Sequence, residues 1–132
     1  MVIFVDANIP MYLVGGDHPH KTTVLELLPR LTTAGEQFVT DAEVYQEILH
    51  RYQATRRLEI VDAAFEALDD LVSSVLTFER GDVLEARDIL ASAPGLSARD
   101  AIHIAVMRRA GVNRILSFDR GLDTFPGVER VS

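Results

Sequence analysis

Two apolar runs in this chain lead into an aspartate: Val2-Ile3-Phe4-Val5 into Asp6, and Arg114-Ile115-Leu116-Ser117 into Phe118-Asp119. Consecutive apolar, branched residues suit a strand covered on both faces. A carboxylate directly after such a strand stands at the carboxyl edge of an α/β sheet, where open folds of this class bind their ligands. Two further acids interrupt apolar helical patterns, Glu47 within an amphipathic run and Asp100 one turn into a strong helix. If the fold gathers Asp6, Glu47, Asp100 and Asp119, their carboxylates repel one another and rise in pKa unless a cation is present. Hard divalent cations that accept oxygen ligands, Mg²⁺ or Mn²⁺, are the natural occupants of such a cluster.

Each acid also has a purely structural reading. Asp6-Ala7-Asn8 can turn the chain into a helix, with Asn8 as N-cap and Pro10 in the first turn. Ser97-Ala98-Arg99-Asp100 has the spacing of a capping box, in which the acid reaches back to the backbone N–H of the cap. Glu43, Glu47 and Arg51 fall at successive i, i+4 positions, so Glu47 can be a surface partner of Arg51. Asp119-Arg120-Gly121 is a turn sequence. No single spacing separates the two readings.

The elements that must position these acids alternate strand and helix. Asn8 to Val14 reads as a short helix ended by Gly15-Gly16. Asp17-His18-Pro19 starts a second, with Val24, Leu27, Leu28 and Leu31 as its stripe and Pro29 expected to kink or shorten it. Gln37 to Thr40 is a second strand. Asp41 caps a third helix with Val44, Tyr45, Ile48, Leu49 and Tyr52 on one face. The stretch from Arg57 to Leu71 is again amphipathic, Val75 to Phe78 reads as a strand, and Asp82 to Leu90 as a helix. Ser97 caps the helix from Ala98 to Ala110, which Gly111 closes. Arg114 to Ser117 is a strand, and Val128 to Val131 adds a short last one. This alternation predicts an α/β sandwich with a mostly parallel sheet.

The length of 132 residues predicts one domain, 1–132, with a genuine core, and 48% hydrophobic against 25% charged residues argues against disorder. Without cysteine there is no disulfide, no thiolate zinc site and no Cys nucleophile. No basic region precedes the first apolar run, and no stretch approaches the ~20 apolar residues of a membrane span, so a cytoplasmic protein is expected. A net charge of -7 is wrong for a protein that coats nucleic acid. It is compatible with acids concentrated in one metal-loaded site ringed by arginines. Among Lys21, Arg51, Arg56, Arg57, Arg99, Arg108, Arg109 and Arg120, Arg99 and Arg120 each neighbour an acid of the cluster and are best placed to meet a substrate phosphate. His18-Pro19-His20 lacks a third ligand at metal spacing, and Gly15-Gly16 lacks the Lys and Ser/Thr of a nucleotide-binding loop.

Taken in order, Val2 to Asn8, Val39-Thr40 leading to Glu47-Ile48-Leu49, Ser97 to Ala105, and Ile115-Leu116-Ser117-Phe118-Asp119 resemble the PIN domain over essentially the whole chain. Within that family the sequence is similar to the VapC-type toxins of bacterial toxin–antitoxin pairs. The resemblance implies a three-layer α/β/α sandwich and metal-dependent cleavage of RNA. It puts metal-coordinating, catalytic carboxylates at Asp6, Glu47, Asp100 and Asp119, with Asn8 and Ser117 as polar supports to the first and last. Glu43 is too close to Thr40 for the family's register, Asp123 lies beyond the fourth acid in a turn, and His103 belongs to the motif as a structural residue. Leu122 stands where Phe is common, and Pro29 is unexpected in its helix. A homodimer and a small VapB-like antitoxin are implied as partners.

Three other readings compete: a PIN-like nuclease of RNA processing or flapped DNA, a non-catalytic acidic protein-binding module, and a phospho-acceptor domain. The last requires a paired acid near the end of the first strand and a Lys after a late strand, and neither is present.

Overall fold

Val2–Val5 forms strand β1, in which Ile3, Phe4 and Val5 are wholly buried. The chain continues through α1 (Asn8–Val14), α2 (Pro19–Thr33), β2 (Gln37–Asp41), α3 (Ala42–Ala54) and a 3₁₀ turn at Leu58–Ile60. It then forms α4 (Val61–Leu71), β3 (Ser74–Leu76), α5 (Arg80–Ser92), α6 (Ala98–Ala110), β4 (Arg114–Leu116), a second 3₁₀ turn at Arg120–Thr124, and β5 (Glu129–Val131). This computed structural model describes residues 1–131.

The strands order as β3-β2-β1-β4-β5, and every ladder is parallel. From β1 the chain builds outward to β2 and β3, then returns to place β4 on the other side of β1. Connections therefore leave β1 and β4 in opposite directions, which opens a crevice at their carboxyl ends. Asp6 and Asp119 follow these two strands. Thr40 Oγ1 donates to the carbonyl of Val5 at 2.9 Å, so β2 is pinned to the end of β1 by a side chain as well as by the ladder.

Helices cover both faces of the sheet in three layers. α5 packs along α6, while α1 packs with α2 and α4; α3 touches both α4 and α6. α6 is buried around most of its circumference, including Ala101, Ile104, Ala105, Val106 and Met107, so its apolar pattern has no single stripe. Gly111 ends it at φ 73°, the left-handed conformation in which a glycine carries no Cβ penalty.

Several local expectations differ from the structure. Pro29 neither shortens α2 nor reaches the core: the helix runs on to Thr33, and Pro29 faces solvent. The carbonyl it leaves without a helical donor belongs to Leu25, whose side chain is itself exposed, so water can serve it. Leu49 is exposed rather than part of the buried face of α3, which consists of Val44, Ile48 and Tyr52. Asn8 does not cap α1; it is the first helical residue, and its side chain is used elsewhere. β3 begins at Ser74 and ends at Leu76, and α5 begins at Arg80 because Glu79 and Asp82 exchange side-chain and backbone bonds across its first turn.

Asp82 does more than cap. Its carboxylate also receives Arg109 Nε at 3.0 Å and Nη2 at 3.1 Å, tying the start of α5 to the end of α6. The guanidinium beside it holds the Asp82 carboxyl below the usual aspartate value of 3.8. Asp82→Ala should lower stability by about 1 kcal/mol at neutral pH, the scale of a lost cap. In denaturant titrations that difference should persist above pH 3.8 and shrink as wild-type Asp82 protonates below it.

Candidate active site

The site is assembled from the carboxyl ends of β1 and β4 and from α3 and α6. Asp6 is buried directly after β1. Its Oδ1 accepts the backbone N–H of Ala7 at 2.8 Å, and its Oδ2 accepts the hydroxyl of Ser117 at 2.6 Å. Ser117 Oγ in turn accepts Asn8 Nδ2 at 3.1 Å and the backbone N–H of Asp119 at 3.0 Å. One donor and two acceptor positions are all that a hydroxyl has, so Ser117 is saturated, and its single proton is committed to Asp6. Asn8 completes the strut by accepting the backbone N–H of Phe118 through Oδ1 at 3.4 Å. The expected supports are therefore one connected network that fixes Asp6 relative to Asp119.

Asp119 caps the start of the second 3₁₀ turn, with Oδ1 accepting the N–H of Gly121 at 2.9 Å. A Cβ at position 121 would stand 3.0 Å from that oxygen, so glycine is what lets the turn fold tightly under the carboxylate. Asp100 begins α6. Ser97 Oγ accepts its backbone N–H at 3.1 Å, but the reciprocal bond of a capping box is absent among the described residues. The carboxyl of Asp100 instead faces the other acids. Burial, a hydrogen bond with Asp119 and the charges of Asp6 and Asp119 push it up to about 8. Asp6 is raised as well, chiefly by burial, with the charge of His103 and the Ser117 bond opposing the shift.

Glu47 lies one wall away. Burial works to raise it, but His103, Arg51 and Arg99 outweigh burial and hold it below its usual value. Arg51 Nη1 is 3.7 Å from it, so the surface pairing and the site placement hold together. Glu43 is paired with Arg99 at 3.3 Å and does not line the groove, and Asp123 pairs with Arg130 at 3.0 Å.

His103 lies beneath the acids and is completely buried. Its Nδ1 is 2.8 Å from Oδ2 of Asp41, whose Oδ1 accepts the N–H of Val44 as the cap of α3. Burial disfavours the imidazolium, yet Asp41 and Glu47 raise His103 well above the ordinary histidine value. Its Nε2 is 3.8 Å from Glu47 Oε1, too far for a hydrogen bond, and among the described residues it is the buried side-chain polar atom left without a partner. Asp6, Asp100 and His103 each present an atom within 4.8 Å of the others. Two buried acids with raised pKa values and a third acid beside them make an oxygen donor set that a divalent cation fits, with His103 beneath it as a charged neighbour rather than a ligand. The cation would remove the repulsion that holds the proton on Asp100.

These groups open into a groove of about 1010 Å³. Arg51, Arg99 and His50 line it, and so do Tyr12, His20 and Phe118. Arg120 is exposed beside Asp119 but outside that lining.

A family model described as the PIN domain matches residues 3–128. The chain belongs to the PIN-domain family. Within it the chain is 53% identical over 131 residues to the ribonuclease VapC13 of Mycobacterium tuberculosis, covering 99% of this chain and 100% of that one, which places it among the VapC ribonucleases. It is 39% identical over 121 residues to VapC23 of the same species, covering 92% and 95%. Among solved structures, VapC20 of M. tuberculosis, described as a sarcin–ricin loop cleaving toxin, superposes with a TM-score of 0.73 at 21% identity over 96% of this chain and 98% of that one. VapBC2 of Rickettsia felis, bound to a DNA fragment from its promoter, gives 0.75 at 10% over 99% and 98%. The last two are likenesses of fold.

In this PIN domain the four acids named from the sequence lie together on one groove, with Asn8 and Ser117 behind Asp6 and Asp119. Sequence reasoning did not anticipate the Asp41–His103 pair, which joins residues 62 positions apart. Nor did it anticipate the aromatic wall, for which the only signal was the unexplained His18-Pro19-His20.

Two outcomes follow from this geometry. Between pH 3.8 and about 8 the metal-free folded protein binds a proton at Asp100 that the unfolded chain has released, so its stability falls as pH rises across that window. Asp100→Asn should therefore melt higher than wild type in chelator above pH 8 and nearly equal to it at the acid end. Ser117→Ala should leave the fold intact and weaken divalent-cation affinity by roughly ten- to a hundredfold, as loss of a support behind a ligand does, read by calorimetric titration.

Proposed function

We propose that this chain is the toxin of a toxin–antitoxin pair, a Mg²⁺- or Mn²⁺-dependent endoribonuclease in which Asp6, Glu47, Asp100 and Asp119 hold the cation. The observation that carries the reading is the gathering of the four acids on one groove, where burial and the neighbouring carboxylates push Asp100 up to about 8, an arrangement that a cation would relieve. The chemistry supplied by a bound Mg²⁺ or Mn²⁺ is activation of water for attack on phosphorus and charge compensation at the leaving oxygen.

The protein's own groups do the rest. Asn8 and Ser117 hold Asp6 and Asp119 in register. Ser117 is fully buried with its oxygen accepting two N–H donors, so in this reading it serves as a support and the attacking group is water. His103 keeps a positive charge under the cluster, which lowers the cost of gathering the acids. Arg51 and Arg99 line the groove and supply charge for the RNA phosphates, and Arg120, exposed beside Asp119, is a further cation for the strand.

A VapB-like antitoxin is the expected partner, since an acidic groove attracts a basic peptide segment as it attracts a cation. Relatives named as VapC ribonucleases and fold neighbours solved as VapBC complexes support that reading. A homodimer and a cytoplasmic location accompany it. Among the described residues no helix is long and apolar enough to cross a membrane.

Partner-free protein incubated with total cellular RNA should give discrete fragments with Mg²⁺ or Mn²⁺ and none with chelator. Asp6→Asn and Asp100→Asn should abolish them. Intact RNA in every condition, from protein with a native melting transition, would refute the nuclease and favour an acidic binding module.

A further inference from the structure

Phe118, His20 and Tyr12 stand together on the wall of the groove that holds the acids. Phe118 and His20 are stacked face to face, ring centroids 3.9 Å apart and planes within 9°. Tyr12 meets both edge-on, at 5.4 Å and 81° to Phe118 and at 5.0 Å and 89° to His20. All three are partly exposed, so the cluster is not a piece of core. We propose that this cluster is a stacking platform for an unpaired base of the RNA strand, next to the bond that is cut. This rests on the ribonuclease reading and deepens it by naming the side chains that seat a base beside the acids.

The platform is built to keep register with the acids. Phe118 stands between Ser117 and Asp119, and its backbone N–H is held by Asn8, so the ring is carried on backbone tied into the network around Asp6. His20 is fixed from the other side. Pro19 occupies the first turn of α2, and His18 Nδ1 accepts the backbone N–H of His20 at 3.0 Å. That gives His18-Pro19-His20 a purpose that metal binding does not, since neither histidine belongs to the group able to share a cation. Arg51 and Arg99 line the same groove. Cations for the backbone with flat rings for the bases is how proteins hold single strands without reading a defined sequence.

The test uses full-length Asp100→Asn protein in Mg²⁺, so that the strand stays intact, with a twelve-nucleotide oligoadenylate and an abasic ribose-phosphate strand of equal length. The chain contains no tryptophan, so Phe118→Trp in that background is an unambiguous reporter. Oligoadenylate should quench the introduced indole and bind about five- to a hundredfold more tightly than the abasic strand, the scale of one stacked base. Phe118→Leu and His20→Ala, each checked for a native melting transition, should bring oligoadenylate down to the abasic level. Equal affinity for the two strands, as a platform for a protein segment would give, overturns the inference and leaves the nuclease standing. So does a preference for oligoadenylate that survives both variants. Binding of neither strand overturns the inference and the nuclease reading together.

Discussion

Four carboxylates cannot be gathered at one end of a sheet without something to hold them against their own repulsion. That constraint organises this molecule. The parallel order β3-β2-β1-β4-β5 puts the ends of β1 and β4 side by side, and the acids that follow them meet across the crevice. α3 and α6 bring Glu47 and Asp100 to the same groove. The carboxyls of Asp6 and Asp100 are raised by their burial and, at Asp100, by the neighbouring acids.

Three devices offset this repulsion. Ser117 spends its whole hydrogen-bonding capacity joining Asp6, Asn8 and Asp119, converting three flexible contacts into one rigid strut. His103 supplies a positive charge from below, which Asp41 stabilises through a short buried contact. Arg51 and Arg99 do the same for Glu47 from the rim, where solvent weakens their effect. Asp41 serves two ends at once: the same carboxylate caps α3 and holds His103, so the start of the helix bearing Glu47 and the orientation of the ring beneath the site are set together. A net charge of -7 is thus compatible with an enzyme acting on a polyanion. Arg51 and Arg99 line the groove, so the charge there differs from the molecular total.

Much of this was legible in the chain. The run Val2 to Val5 suits a covered strand, since four branched or aromatic residues with no polar alternation have no solvent face to offer. Ser97 and Gly111 bracket α6 as the cap rules require. The acids were identifiable as a set because two followed strands and two broke helical patterns. Where local rules misled, tertiary context prevailed. Asn8 looked like a cap, yet its amide is worth more in the strut to Ser117. Pro29 looked like a break, yet it lies on the face of α2 where water can replace the lost bond. Leu122, in place of the family's common Phe, is completely buried.

By itself, then, the sequence determined the alternation of strands and helices, the ends of most of them and the identity of the acids, because these depend on neighbours within one or two turns. The tertiary structure alone decided that Asp100 faces Asp6 and Asp119, that Glu43 belongs to Arg99 while Glu47 faces the groove, that His103 is paired to Asp41, and that Tyr12, His20 and Phe118 form one wall. Those pairings join residues tens of positions apart. Their energies depend on distance and burial, which chain order does not encode until the sheet has closed around β1.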